Sequence, residues 1–364
     1  MKMRIGILTF HKANNFGAVL QTVALQTFIN KNIDKSEIID YYPNNAIPKK
    51  RSIFYTILRF GKRALIPKKS WDRYIKEKKF DDFRTKYYSL SDDSYYGDAD
   101  IKKRIKDYDI YISGSDQILN TTLTGESEAF YLNFDDNAKK ISYASSFGRE
   151  QISSHEKALI KSELPKFSCI SVREKTAGEI IEDEIRVKTQ LVLDPVFLLD
   201  LDEWDKFCSN TNKAPFRYIF VYSMEISIAL EKLVDNLCRE YELPAIVVRG
   251  GGKPGRINGK EDAKCGPSDF LRYIRDAEIV VTNSFHGTAF SVIFQKKFFC
   301  VAHSTRNTRL ENIMELTSNA NKIIYEELSN SDISSYLVDG ETSYKEIKTM
   351  ISESKEYLHR SLKF

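Results

Sequence analysis

One histidine stands out by where its neighbours place it. In Ala277-Glu278-Ile279-Val280-Val281-Thr282-Asn283-Ser284-Phe285-His286-Gly287-Thr288 an apolar run ends in a short polar turn, and a His-Gly pair opens a helical pattern. A strand that delivers His286 to the carboxyl edge of a parallel sheet sets it where open α/β sheets bind ligands. The helix start beside it favours anions. Imidazole titrates near neutral pH, so His286 is the candidate for acid–base work on an anionic substrate. Ser284 and Gly287 share its turn, and the following apolar run ends in Ala302-His303-Ser304-Thr305-Arg306-Asn307-Thr308-Arg309. Arg306 and Arg309 thereby reach the same edge, with planar forks suited to carboxylate or phosphate.

Other turns carry polar groups of the same kind. Phe10-His11-Lys12-Ala13-Asn14-Asn15-Phe16-Gly17 leads from the first strand to the first helix. Asn15 and Gly17 either make a tight loop or frame backbone amides that hold a polar ligand. In Ser113-Gly114-Ser115-Asp116-Gln117, Ser115 and Asp116 either bind sugar hydroxyls or cap the next helix. Ser171-Val172-Arg173-Glu174-Lys175 ends a strand in Arg173, as an anion ligand or as an ion pair with Glu174 or another neighbour. Asp194, in Leu193-Asp194-Pro195, orients a polar partner or caps its turn, and Cys265-Gly266-Pro267-Ser268 reads as a helix start with Ser268 as N-cap.

The elements that position these residues are short apolar runs alternating with helical patterns. They are Arg4–Phe10, Glu37–Tyr41, Tyr108–Ser113, Lys140–Ala144, Ser168–Val172 and Gln190–Leu193, then Arg217–Tyr222, Ala245–Arg249, Glu278–Thr282, Lys297–Ala302 and Lys322–Tyr325. Runs buried on both faces and separated by helices make parallel sheets. Two such sets predict two Rossmann-like α/β domains with a cleft between them. The polar stretch Asp200–Pro215 separates them, giving residues 1–205, with a basic insertion at 49–80, and residues 206–335. A helical tail, 336–364, is expected to pack back across the first domain.

The bulk numbers exclude several classes. A net charge of +4 over 364 residues is not that of a chain-wide polyanion binder, so nucleic acid is not an expected partner. Five scattered cysteines, with no CxxC, argue for a reducing compartment and against a disulfide framework or zinc site. No metal-ligand spacing is present. The apolar start Ile5-Gly6-Ile7-Leu8 is too short for a signal segment, and nothing approaches the ~20 apolar residues of a membrane span. A cytoplasmic location is expected. Gly250-Gly251-Gly252-Lys253-Pro254-Gly255 follows a strand but lacks the ending of a phosphate-binding loop. Lys49–Phe80 holds twelve cations and two acids, interleaved with Phe54, Tyr55, Phe60, Trp71 and Tyr74. That composition suits a solvated helical insertion, contact with the surface of an anionic membrane or, least because the rest of the chain is not basic, nucleic acid.

Taken together, the chain resembles the polysaccharide pyruvyl transferase family. The resemblance rests on Asn15-Phe16-Gly17-Ala18 with Leu20-Gln21, Gly114-Ser115-Asp116-Gln117, Ser171-Val172-Arg173-Glu174-Lys175, Asp194-Pro195, Gly266-Pro267 with Phe270-Leu271, and Asn283-Ser284-Phe285-His286-Gly287. These pieces occur in the family's order from about residue 4 to 310. The resemblance implies a GT-B-like fold and a reaction in which phosphoenolpyruvate, as donor substrate and without a cofactor, gives pyruvate as a ketal across two sugar hydroxyls and releases phosphate. It implies catalytic roles for His286 and Arg173, donor contacts from Arg173, Ser284, His286, Gly287 and either Arg306 or Arg309, and acceptor contacts from Asn15, Gly17, Ser115 and Asp116. The acceptor it implies is a glycan of a bacterial surface polymer, which the basic insertion suits to a lipid-diphosphate carrier. Two other functions fit the same residues: a glycosyltransferase using a sugar nucleotide, and a non-catalytic glycan-binding protein on an enzyme-like fold.

Overall fold

The computed structural model describes residues 3–47, 67–106, 108–135, 137–209, 216–251, 256–304 and 307–363. It divides into two compact units, one of Met1–Lys62, Arg84–Leu199 and Met350–Phe364, the other of Arg63–Phe83 and Asp200–Thr349. Most of the aromatic part of the basic insertion, residues 48–66, lies outside the described residues, as do residues 252–255 of the glycine-rich loop.

Each unit is built on a parallel sheet. In the first, β1 (Ile5–Leu8), β2 (Ser36–Tyr42), β3 (Leu90–Tyr96), β4 (Ile110–Ser113) and β5 (Lys139–Ser142) lie in the order β3-β2-β1-β4-β5. The pair β6 (Ser171–Val172) and β7 (Gln190–Leu191) prolongs this sheet through the single bridges Ile141↔Cys169 and Ser145↔Val172. The second unit holds β8 (Ile219–Ser223), β9 (Ala245–Arg249), β10 (Lys260–Glu261), β11 (Ile279–Thr282), β12 (Lys297–Val301) and β13 (Ile323–Ile324) in the order β10-β9-β8-β11-β12-β13. Among the described residues, only β14 (Val338–Asp339) runs antiparallel, against β12. Both orders are the doubly wound Rossmann arrangement, with winding reversed between β1 and β4 and again between β8 and β11. The fold class is therefore the one expected: two Rossmann-like α/β units with parallel sheets.

Burial explains why these segments are strands. All residues of β1, β4, β8 and β11 are buried, so both faces are covered and the runs read as continuously apolar. Every apolar run taken from the sequence overlaps one of the strands. Three strands were not anticipated, and each lacks that signature. β3 is an exposed edge with the sequence Leu-Ser-Asp-Asp-Ser-Tyr-Tyr, and β10 and β14 have two residues each.

Helices cover the faces. Phe16–Asn32, capped by Asn15, is buried on nearly all sides. In the second unit the fully buried Trp204 stands edge-on to Phe290 at 4.8 Å, and Phe270 stands edge-on to Tyr222 at 4.8 Å. The C-terminal helix Gly340–Ser361 ends against the first unit's sheet: Tyr357 donates to the Ser142 carbonyl at 2.9 Å, and the Ser354 hydroxyl accepts from Leu193 N–H at 3.0 Å. Among the described residues no helix is long and apolar enough to cross a membrane.

Candidate functional site

The site in the second unit starts from the end of β11. Thr282 is buried, and its hydroxyl donates to the Tyr222 carbonyl of β8 at 2.8 Å while accepting from Ser284 N–H at 3.1 Å. The next residue, Asn283, accepts from Met224 N–H at 2.8 Å and donates through Nδ2 to the Glu225 carbonyl at 2.8 Å. Two consecutive side chains thus fasten the turn after β11 to the turn after β8, where the winding reverses. Ser284 then takes an extended conformation and the helix Phe285–Ile293 begins.

His286 is the second residue of that helix, 7% exposed, with its ring edge-on to Phe285 at 4.9 Å. It therefore sits in the helix's first turn, the positive end of the dipole. Gly287 follows because nothing larger fits: a Cβ there would stand 2.2 Å from Thr282 Oγ1. Ser284, His286 and Gly287 sit on one turn at the end of β11 and the start of this helix. Arg309 lies in the first turn of the helix Thr308–Leu316, which follows β12 in the same sheet, and Arg306 lies outside the described residues.

Arg173 belongs to the first unit. Its side chain is 2% exposed and its guanidinium donates to Asp194 at 2.6 Å, to Asp116 at 3.0 Å and to the Ser115 hydroxyl at 3.4 Å. Burial opposes its charge, but the carboxylates of Asp116, Asp194 and Glu174 outweigh it and raise the guanidinium pKa further. Of the two readings the sequence left open, an ion pair is in place, and its close partners are Asp194 and Asp116 rather than Glu174, which stands 3.8 Å away. Asp194 also accepts from Val196 N–H at 3.1 Å, so it both caps its turn and orients a partner.

Ser115 and Asp116 do not cap a helix. The helix that follows, Thr121–Thr124, is capped by Asn120 instead, while Asp116 holds a left-handed φ of 81° that is uncommon for a residue with a side chain. Strain of this kind persists where surrounding bonds over-determine it. Here Asp116 Oδ1 accepts from Arg173 and from Gln117 N–H at 3.0 Å each. Ser115 is fully buried, and its carbonyl accepts from the Thr9 hydroxyl at 2.9 Å, which joins the turns after β1 and β4. Asn15 spends its side chain on the Ala18 amide at 3.2 Å as an N-cap, and Gly17 is buried in the same helix. The predicted cap Ser268 is displaced as well: the helix Pro267–Asp276 is capped at Gly266, whose N–H is bound by Asp269 at 3.1 Å.

A buried cluster at the end of β1 was missed. His11 Nε2 is 2.9 Å from Asp40, and the same carboxylate takes hydrogen bonds from Lys12 at 2.8 Å and Ser94 at 2.6 Å. Burial pushes the His11 imidazole below its usual value. Burial alone would raise the Asp40 carboxyl, but the bonds from His11, Lys12 and Ser94 hold it well below the usual carboxylate range. His11 and Lys12 had been visible in the loop; Asp40, 29 residues from His11, had no local signal.

The model of one family, described as Polysaccharide pyruvyl transferase, matches residues 15–305. Among solved structures, the chain is similar to the UDP-GlcNAc 2-epimerase from Neisseria meningitidis bound to UDP-GlcNAc, with 12% identity and a TM-score of 0.50, covering 100% of this chain and 99% of that one. It is also similar to the UDP-GlcNAc 2-epimerase from Methanocaldococcus jannaschii (11% identity, TM-score 0.49, 97% and 100% covered). A third is the glycosyltransferase SnogD from Streptomyces nogalater (8% identity, TM-score 0.46, 99% and 100% covered). None of the curated proteins matches the chain. Likeness at such identity speaks to the fold alone, the GT-B architecture.

Two outcomes follow from this geometry. Asp194→Ala leaves a buried guanidinium short of its nearest carboxylate and should cost about 3–5 kcal/mol in urea denaturation. Arg173→Met added to it should restore part of the loss. For Asp40, a folded pKa below the unfolded one means stability that is present above about pH 4 and lost as pH falls below it. Urea midpoints measured from pH 7 to pH 3 should therefore fall on the acid side, and Asp40→Asn should flatten that limb while lowering the midpoint at pH 7.

Proposed function

The chain belongs to the polysaccharide pyruvyl transferase family, and on that footing we propose that it transfers pyruvate from phosphoenolpyruvate to two hydroxyls of a sugar in a surface-polysaccharide precursor. The observation that carries the reading is the family match, whose span takes in the strand–turn–helix that presents His286. The donor bears a carboxylate and a phosphate, and a helix start with a histidine in its first turn suits such an anion. A proton delivered to the methylene carbon turns it into a methyl group and leaves positive charge on the carbon bearing the phosphate. One sugar hydroxyl attacks that carbon and loses its proton. The second hydroxyl then displaces phosphate and gives up its proton, closing the ketal ring. His286 is assigned the proton transfers, with Ser284, Gly287 and Arg309 or Arg306 holding the donor.

In the first unit, Asp116 and Asn15 are assigned to the acceptor side. Gly17 supplies the close backbone of that helix start, and Ser115 acts through the network of Arg173 and Asp194. Arg173 thereby contributes by fixing Asp116. Nothing in this scheme calls on a cofactor. A lipid-diphosphate carrier and the inner face of a membrane remain the proposed setting. Lys68, Lys69 and Lys78 are exposed on the helix Lys68–Tyr87, whereas Lys79 is tied to Asp269 at 2.6 Å.

Incubation with phosphoenolpyruvate and a panel of glycosides should release phosphate only with the right sugar. The product should gain the mass of one pyruvate less one water, and His286→Ala should lower turnover at least about a hundredfold. Binding of uridine diphosphate with indifference to phosphoenolpyruvate would instead favour sugar-nucleotide transfer. Reversing the charges of Lys68, Lys69 and Lys78 should abolish flotation with vesicles of anionic phospholipid while sparing turnover on a short, lipid-free acceptor. Equal loss in both assays would remove the membrane role.

A further inference from the structure

Glu225 follows β8 between Met224 and Ile226, and no motif marks it. In the structure three turns at the carboxyl edge of the second sheet meet on this one residue. Its carbonyl accepts from Asn283 Nδ2 at 2.8 Å and from the Ser223 hydroxyl, which ties it to the turn that ends in His286. Its carboxylate accepts from the Ser304 hydroxyl at 2.9 Å and from the Ser304 N–H, and His303 Nδ1 lies 3.5 Å away. These last groups belong to the turn after β12. The base of that turn is closed by His303 N–H donating to Asn307 at 2.7 Å, and the helix carrying Arg309 begins at the next residue, Thr308.

We propose that Glu225 is a positioning residue for the anionic donor, holding the turn after β12 in register with the turn that presents His286. This deepens the reading given under Proposed function and rests on it. A carboxylate beside an anion site would repel the ligand if its charge were unopposed. Here the carboxylate is engaged by an N–H and an O–H and faces an imidazole. Its charge is thus directed at the turn after β12, and its side chain is only 23% exposed. Among its described residues the turn is held by the Ser304 bonds to this carboxylate and by the His303–Asn307 bond, and the charge-assisted pair sets where Ser304 lies. A displacement of about 1 Å in such a frame is enough to cost a large factor in binding or rate.

The test compares Glu225→Ala and Glu225→Gln with the unmodified protein by phosphoenolpyruvate calorimetry and by amide hydrogen exchange. Glu225→Ala should weaken phosphoenolpyruvate binding about tenfold and speed exchange at Ser304, with β8 and β11 still protected. Glu225→Gln keeps an acceptor oxygen for the Ser304 N–H and should recover most of both. Unchanged affinity together with unchanged Ser304 exchange in Glu225→Ala overturns the proposal, as does an affinity loss without any change in exchange. If the unmodified protein binds no phosphoenolpyruvate, the functional reading fails, and Ser304 exchange by itself decides whether Glu225 fixes the turn.

Discussion

Reversing the direction in which a parallel sheet is wound parts the loops at its carboxyl edge, and each unit of this protein closes that gap with buried side chains. In the second unit Thr282 and Asn283 reach across from β11 to β8. In the first, the Thr9 hydroxyl reaches from the end of β1 to the Ser115 carbonyl after β4, and Gln21 donates back to it at 2.9 Å. Groups that leave a sheet ladder at a buried edge must find partners or lose stability. These side chains supply the partners and, in doing so, set the positions of the turns. The placement of His286 descends from that requirement.

The two units use charge differently at this edge. In the first, charged groups pair with one another: Arg173 with Asp194 and Asp116, and Asp40 with His11 and Lys12, with Ser94 donating to the same carboxylate. Such networks are costly to break, since removing one partner strands the other in a poorly solvating interior. They hold loops in fixed shapes. In the second, the turn that carries His286 is fixed by neutral groups, the hydroxyl of Thr282 and the amide of Asn283.

Much of this was legible in the sequence. Strands buried on both faces announce themselves as unbroken apolar runs, and β1, β4, β8 and β11 were found that way. His286 and Gly287 were recognisable because a strand ending in a polar turn and a His-Gly is a local pattern. β3 was not legible, because an edge strand owes its conformation to the neighbour it pairs with rather than to its own apolarity. The caps of the helices that start at residues 121 and 267 lie two to five residues from the positions the sequence suggests. The choice between Ser268 and Gly266 as cap depends on which amide is left exposed, and that is settled by packing.

By itself the sequence determined the two-sheet α/β plan, the family, and the turns on which the polar residues would sit, since each of these is written in contiguous residues and their order. Tertiary structure decided which polar groups meet. Arg173 finds Asp194 across 21 positions and Asp116 across 57, and Glu225 finds Ser304 across 79. Pairings of that separation leave no periodic or local mark. They are selected only when the strands are in register and buried charges and amides must be satisfied by whatever the fold has brought within reach.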